Sequence, residues 1–222
     1  EFLPLPEPKY RLEFVGDSIT CGEGTIGSIE EEDWISAFFS TENSYPRMVA
    51  DALSAEYRVV SQSGWGIVTG WDGMMQNKIP PFYTQVCGLL SGERNASLGA
   101  LDDYDFKAWQ PDVVFINLGT NDATAIQSAA ELGQEWAGTR DIKDVKEILT
   151  TAIRDFLKVV RTCNPEAQII WGYGMLGDSF LSVIREAVEN YAKETADTRI
   201  HFLQLPDTTP DTVGSRLHPG VK

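Results

Sequence analysis

Phe14-Val15-Gly16-Asp17-Ser18-Ile19-Thr20 decides how this chain is read. Leu12, Phe14 and Val15 are apolar and run into Gly-Asp-Ser, the pattern of a strand that ends in a tight turn. Such a turn stands the hydroxyl of Ser18 at the carboxyl end of the strand, where open α/β sheets place their ligands. A nucleophilic serine needs a base, oxyanion donors and a group that orients the base. Candidates for each lie downstream.

Outward from that turn, apolar runs alternate with helical periods. Strands are expected at residues 11–15, 57–61, 113–118, 168–171 and 200–205, the third a continuous apolar run suited to a strand buried on both faces. A short helix over 44–53 carries Pro46 in its first turn. Asp144 caps a longer one, whose apolar positions 145, 148, 149, 152, 153, 156, 157 and 160 fall on one face. Phe180, Val183, Ile184, Ala187, Val188, Tyr191 and Ala192 form a further stripe. The alternation predicts an α/β fold, a three-layer α/β/α sandwich with a central parallel five-stranded sheet, flavodoxin-like in order and with the first strand central. Residues 66–108 show no strong period and many Gly, Pro and aromatic residues, the mark of an irregular excursion that carries substrate contacts.

Composition narrows the function classes. With 222 residues, 42% of them hydrophobic, one packed α/β domain is expected. A net charge of -15 argues against nucleic acid and anionic membranes as partners. Two histidines and no clustered cysteines leave no transition-metal site, and no cofactor is expected. Gly22-Glu23-Gly24 lacks the further glycine and the lysine of a phosphate loop, and Asp102-Asp103-Tyr104-Asp105 reads as a solvated acidic loop. Of Cys21, Cys87 and Cys163 one pair could bridge, leaving an odd thiol. Residues 1–10, with Pro4, Pro6 and Pro8, read as a linker from a preceding domain, and 11–222 as the catalytic unit.

Four segments at strand ends each offer one part of an acyl-transfer site. Ser18 is the candidate nucleophile and His218, in Leu217-His218-Pro219, the candidate base. The backbone N–H groups of Ser18 and Gly64 and the side-chain amide of Asn121 are the candidate oxyanion donors. Trp65, Trp71 and Asp17 are marked as candidate substrate contacts. Trp65, Trp71, Phe82, Tyr83, Tyr104 and Trp109 give the excursion rings suited to stacking on sugars.

This order of blocks resembles the SGNH hydrolase superfamily, also called GDSL. The segments 16–22, 63–67 and 116–122 look like the catalytic domain of carbohydrate esterase family 2. The resemblance implies a Ser-His acyl-enzyme mechanism that removes acetyl groups from plant cell-wall polysaccharides such as acetylated xylan or glucomannan. It also implies an extracellular protein and an appended N-terminal β-sandwich domain. Two departures stand out. The superfamily usually has Asp three residues before the histidine, where this chain has Ser215, so a backbone carbonyl near Ser215, or else Asp211 or Asp207, must hold the ring. The superfamily also usually continues into a helix packed on the sheet, whereas Lys222 follows His218 closely. The other readings are a lysophospholipase- or thioesterase-like enzyme, which needs an aliphatic acyl tunnel, and a glycan-binding domain that has lost catalysis.

Overall fold

The computed structural model describes residues 7–221. Five strands form one parallel sheet: β1 (Tyr10–Gly16), β2 (Ala55–Ser61), β3 (Val113–Asn117), β4 (Gln168–Tyr173) and β5 (Ile200–Gln204), in the order β2-β1-β3-β4-β5. This is the flavodoxin-like order, but the middle position belongs to β3; β1 is the second strand, not the central one. The chain leaves β1 toward β2 on one side and later returns to β3 on the other. The crevice between β1 and β3 is therefore the switch point at which such sheets bind ligands.

Among the described residues, six α-helices accompany the sheet: α1 (Ser18–Cys21), α2 (Tyr45–Leu53), α3 (Glu93–Ser97), α4 (Thr120–Glu131), α5 (Ile142–Cys163) and α6 (Leu181–Thr195). Alternation along the strands divides the core. Leu12 and Phe14 of β1 share a face with Val113 and Phe115 of β3, covered by Tyr45 and Ala50 of α2. Val15, Val114, Ile116, Ile169 and Trp171 point the other way, into the main core with α4, α5 and α6. The α5 stripe read from the sequence is this core's largest contributor, with Leu149, Ile153, Phe156 and Leu157 all buried. Among the described residues, no helix is long and apolar enough to cross a membrane.

Several expectations are corrected. Helix α5 starts earlier than a cap at 144 implies: Asp141 caps it, accepting from the Lys143 N–H at 2.8 Å, while Asp144 lies in its first turn. Helix α4 is absent from the sequence expectation, because its buried residues are the polar Asn121 and Asp122, the small Ala123 and Ala125 and a single large apolar residue, Ile126, which leaves little amphipathic signal. Strand β1 begins at Tyr10, within the stretch read as linker; residues 1–6 of that stretch lie outside the described residues. The excursion holds no strand of the sheet and is tied by backbone pairs such as Ile79 N–H to Gly66 O and Cys87 N–H to Ala100 O, each 2.9 Å. All three cysteines are free thiols.

Phe156 packs edge-on against Tyr83 and Trp171, joining α5 to the excursion and to β4. Phe156→Ala is expected to lower stability by about 3–5 kcal/mol, read as a fall in the urea midpoint.

Candidate active site

Ser18 opens α1 directly beyond β1, and the turn is built by its neighbour. Asp17 caps α1, its Oδ1 accepting from the Ile19 N–H at 3.1 Å, while its Oδ2 accepts from Asn121 Nδ2 at 3.1 Å. Asp17 is 0% exposed, so it braces the turn from within and is not the substrate contact expected of it. Burial pushes its carboxyl up to about 7, against the pull of the Ile19 N–H, and the nearby Asp122 adds to the rise.

The imidazole of His218 reaches Ser18 from the far end of the chain, with Nε2 2.8 Å from Ser18 Oγ. Its Nδ1 lies 2.9 Å from the backbone carbonyl of Arg216. A carbonyl only accepts, so Nδ1 carries the proton and Nε2 offers its lone pair to the Ser18 hydroxyl. The ring is thus held by a carbonyl one residue beyond Ser215. Ser215 itself is buried with its N–H on Gly24 O at 3.0 Å and its own carbonyl accepting from the His218 N–H at 3.1 Å. Asp207 accepts instead from the Gly177 and Thr208 N–H groups, and the exposed Asp211 makes no bond to the ring. Arg216 and Leu217 both have left-handed backbone, φ 52 and 61, which turns the Arg216 carbonyl back toward the ring. Burial holds His218 below the ordinary imidazole range; the Glu23 charge and the Arg216 carbonyl oppose that shift, and the Arg216 charge adds to it.

The segment after β2 forms the other wall. Gly64 has φ +78, the left-handed region that favours glycine, and a Cβ there would meet Trp71 Cδ1 at 2.9 Å and displace the indole. Neither the Ser18 nor the Gly64 N–H donates to another described residue. Asn121 sits in the first turn of α4 with Nδ2 3.0 Å from the Trp65 carbonyl. Asp122, beside it and fully buried, accepts from three consecutive backbone N–H groups: Ile67 at 2.8 Å, Val68 at 2.8 Å and Thr69 at 3.0 Å. Asp122 is absent from the expected site for the same reason as α4: an acid in the first turn of a helix after a strand marks such a residue only once the helix itself is recognised.

The aromatic expectation narrows. Tyr83 and Trp109 are buried, and Trp65 is partly buried with its ring on Phe82 at 5.1 Å. Tyr104 lies against Phe106 and Arg58, so most of these rings build the excursion rather than a wall for sugars. Trp71, at 60% exposure beside Gly64, is the open ring.

The serine at the β1 turn, the late histidine and the two intervening blocks coincide with a match of residues 14–222 to the GDSL-like lipase/acylhydrolase model. The chain belongs to the GDSL-like lipase/acylhydrolase family. Among solved structures, the acetyl xylan esterase Est2A from the rumen bacterium Butyrivibrio proteoclasticus is 42% identical with a TM-score of 0.90, over 100% of this chain and 61% of that one. A family two carbohydrate esterase from Clostridium thermocellum in complex with cellohexaose is 25% identical with a TM-score of 0.79, over 100% of this chain and 62% of that one. The chain is also 32% identical, over 99% of its length, to an acetylxylan esterase / glucomannan deacetylase of Cellvibrio japonicus, of which it spans about half (52%).

Asp122→Ala leaves three buried N–H groups without their acceptor. At about 1–3 kcal/mol for each unsatisfied donor, unfolding stability should fall by about 3 kcal/mol or more, measured by urea denaturation.

Proposed function

We propose that this domain is a serine esterase that removes O-acetyl groups from plant cell-wall polysaccharide, acetylated xylan or glucomannan. The observation that carries the reading is the Ser18 Oγ to His218 Nε2 hydrogen bond of 2.8 Å, with Nδ1 already fixed in the basic tautomer. Ser18 Oγ attacks the acetyl carbonyl carbon as His218 takes its proton. The oxyanion is met by the N–H groups of Ser18 and Gly64 and by the amide of Asn121. In the free molecule both Asn121 amide hydrogens have partners, so the one directed at the Trp65 carbonyl is shared with the oxyanion. Collapse expels the sugar oxygen, which takes the proton from His218, and water then hydrolyses the acetyl-enzyme by the same base.

The substrate class rests on three supports. The relatives are named as acetylxylan and glucomannan esterases. The exposed Trp71 ring lies beside Gly64, where a sugar ring can stack. A net charge of -15 suits a neutral glycan better than an anionic lipid surface. The reading puts the protein outside the cell, where such polysaccharides are met. The greater length of the relatives agrees with an appended domain before the catalytic unit.

Ser18→Ala should cut hydrolysis of 4-nitrophenyl acetate by roughly 1000-fold or more. Near wild-type turnover would defeat the assignment. Acetyl esters should be preferred to butyryl and longer ones. A specificity constant rising with chain length, by about 0.8 kcal/mol for each buried methylene, would move the enzyme to the lipid-directed class.

The pH profile follows from His218. The base works only when neutral and burial lowers its pKa, so kcat/KM should persist below pH 6.5 and fall only as the pH drops through the lowered value. Asp207→Ala and Asp211→Ala should stay within a few-fold of wild type, because a carbonyl holds the ring.

A further inference from the structure

Between the nucleophile's helix and the rest of the chain stands Gly22-Glu23-Gly24, the short glycine pair that no phosphate site explains. Glu23 is 3% exposed, and three parts of the site converge on it. Its backbone N–H donates to the Ser18 carbonyl at 3.0 Å. Its Oε2 accepts from Ser63 Oγ, on the residue before Gly64. Its Oε1 accepts from the Arg216 guanidinium, whose own residue supplies the carbonyl that holds His218. Gly24 has φ +70, and a Cβ on it would stand 2.4 Å from the Ser215 carbonyl, so the segment bearing Glu23 presses directly on the histidine loop.

We infer that Glu23 is a positioning residue, whose one carboxylate sets the His218 loop and the Gly64 loop at a fixed distance from each other and from Ser18. Ser63 and Arg216 are far apart in sequence and share no other side-chain partner among the described residues. Without Glu23 the His218 loop keeps its Ser215 N–H bond to Gly24 O and the Gly64 segment its bonds to Asn121 and Asp122, but no described side chain joins the two to each other. Displacement of a reacting group by about 1 Å costs up to roughly 100-fold in rate. Charge gives a second, independent signature. Glu23 and Arg216 are the charged groups that act on the His218 ring, the first favouring the imidazolium and the second opposing it. Losing the carboxylate removes one and leaves the other without its counter-ion, so both changes push the ring's titration to lower pH.

The kinetic part of this inference rests on the esterase reading, and the titration part does not. Glu23→Gln keeps the shape and removes the charge. It should lower kcat/KM for 4-nitrophenyl acetate by roughly 10- to 100-fold, mainly through kcat, at temperatures where the variant is fully folded. The His218 imidazole resonances, followed by NMR against pH, should move to a lower midpoint; the chain has two histidines, and His201→Gln identifies which signal is which. Adding Arg216→Asn, a residue tolerant of left-handed backbone, should bring the midpoint back up. Wild-type kcat and midpoint in Glu23→Gln, or a lowered melting temperature alone, overturns the inference. Should Glu23→Gln fail to fold, Ser63→Ala keeps the charge and cuts one arm: a several-fold loss of kcat with an unmoved midpoint upholds the inference, and an unchanged kcat overturns it. If wild-type protein hydrolyses no acetyl ester, the esterase reading falls while the midpoint still decides the role of Glu23.

Discussion

The two oxygens of Asp122 gather the N–H groups of Ile67, Val68 and Thr69, and through them the segment after β2 becomes part of the crevice between β1 and β3. Strand β2 is at the sheet edge, and beyond its last residue the pairing with β1 continues only through Gln62 N–H to Gly16 O at 3.2 Å. A loop of this kind would otherwise wander by more than a catalytic geometry tolerates. The residue before Asp122 reaches in two other directions, from Asn121 Nδ2 to the Trp65 carbonyl and to Asp17. Two consecutive side chains at the start of α4 thus tie the end of β1 to the path leaving β2. That α4 begins directly after β3 puts both of them at the switch point.

Three buried carboxyl groups, Asp17, Glu23 and Asp122, surround one serine in a protein that already carries a net charge of -15. Burial raises the carboxyls of both Asp17, to about 7, and Asp122, whose three backbone donors pull the other way, while Glu23 is paired with a guanidinium. In the proposed reaction the Glu23 charge favours the imidazolium, and negative charge about the serine disfavours the oxyanion. The balance explains why the donors aimed at the oxyanion must be dense and rigid, with two of them being main-chain groups. It also makes an anionic leaving group or an anionic surface a poor match for the site.

Much of this was legible in the sequence, for definable reasons. The apolar run at 113–118 and the α5 stripe are long and regular, so β3 and α5 followed from periodicity, with errors only at their ends. Ser18, Gly64, Asn121 and His218 could be singled out because each lies just past a strand or in a short motif; the structure hydrogen-bonds Ser18 to His218 and ties Asn121 to Asp17 and Trp65, the chain neighbours of Ser18 and Gly64. Helix α4 was hidden by a buried face of small and polar residues, and the rings of Tyr83 and Trp109 looked available until packing buried them. Glu23 was invisible for a different reason. Its partners Ser63 and Arg216 lie 40 and 193 positions away, and nothing local marks a glutamate between two glycines as the meeting point of three loops.

The carbonyl of Arg216 that holds His218 belongs to no particular amino acid. An orienting aspartate can be lost by a single nucleotide change, but a carbonyl survives every substitution at its position. What inheritance must preserve is the left-handed turn at Arg216 and Leu217, which proline or a β-branched residue would break while asparagine or glycine would ease it. A comparison of sequences would score such a site as missing one member. Its third partner is written in backbone angles, and so drifts by conformation rather than by side chain.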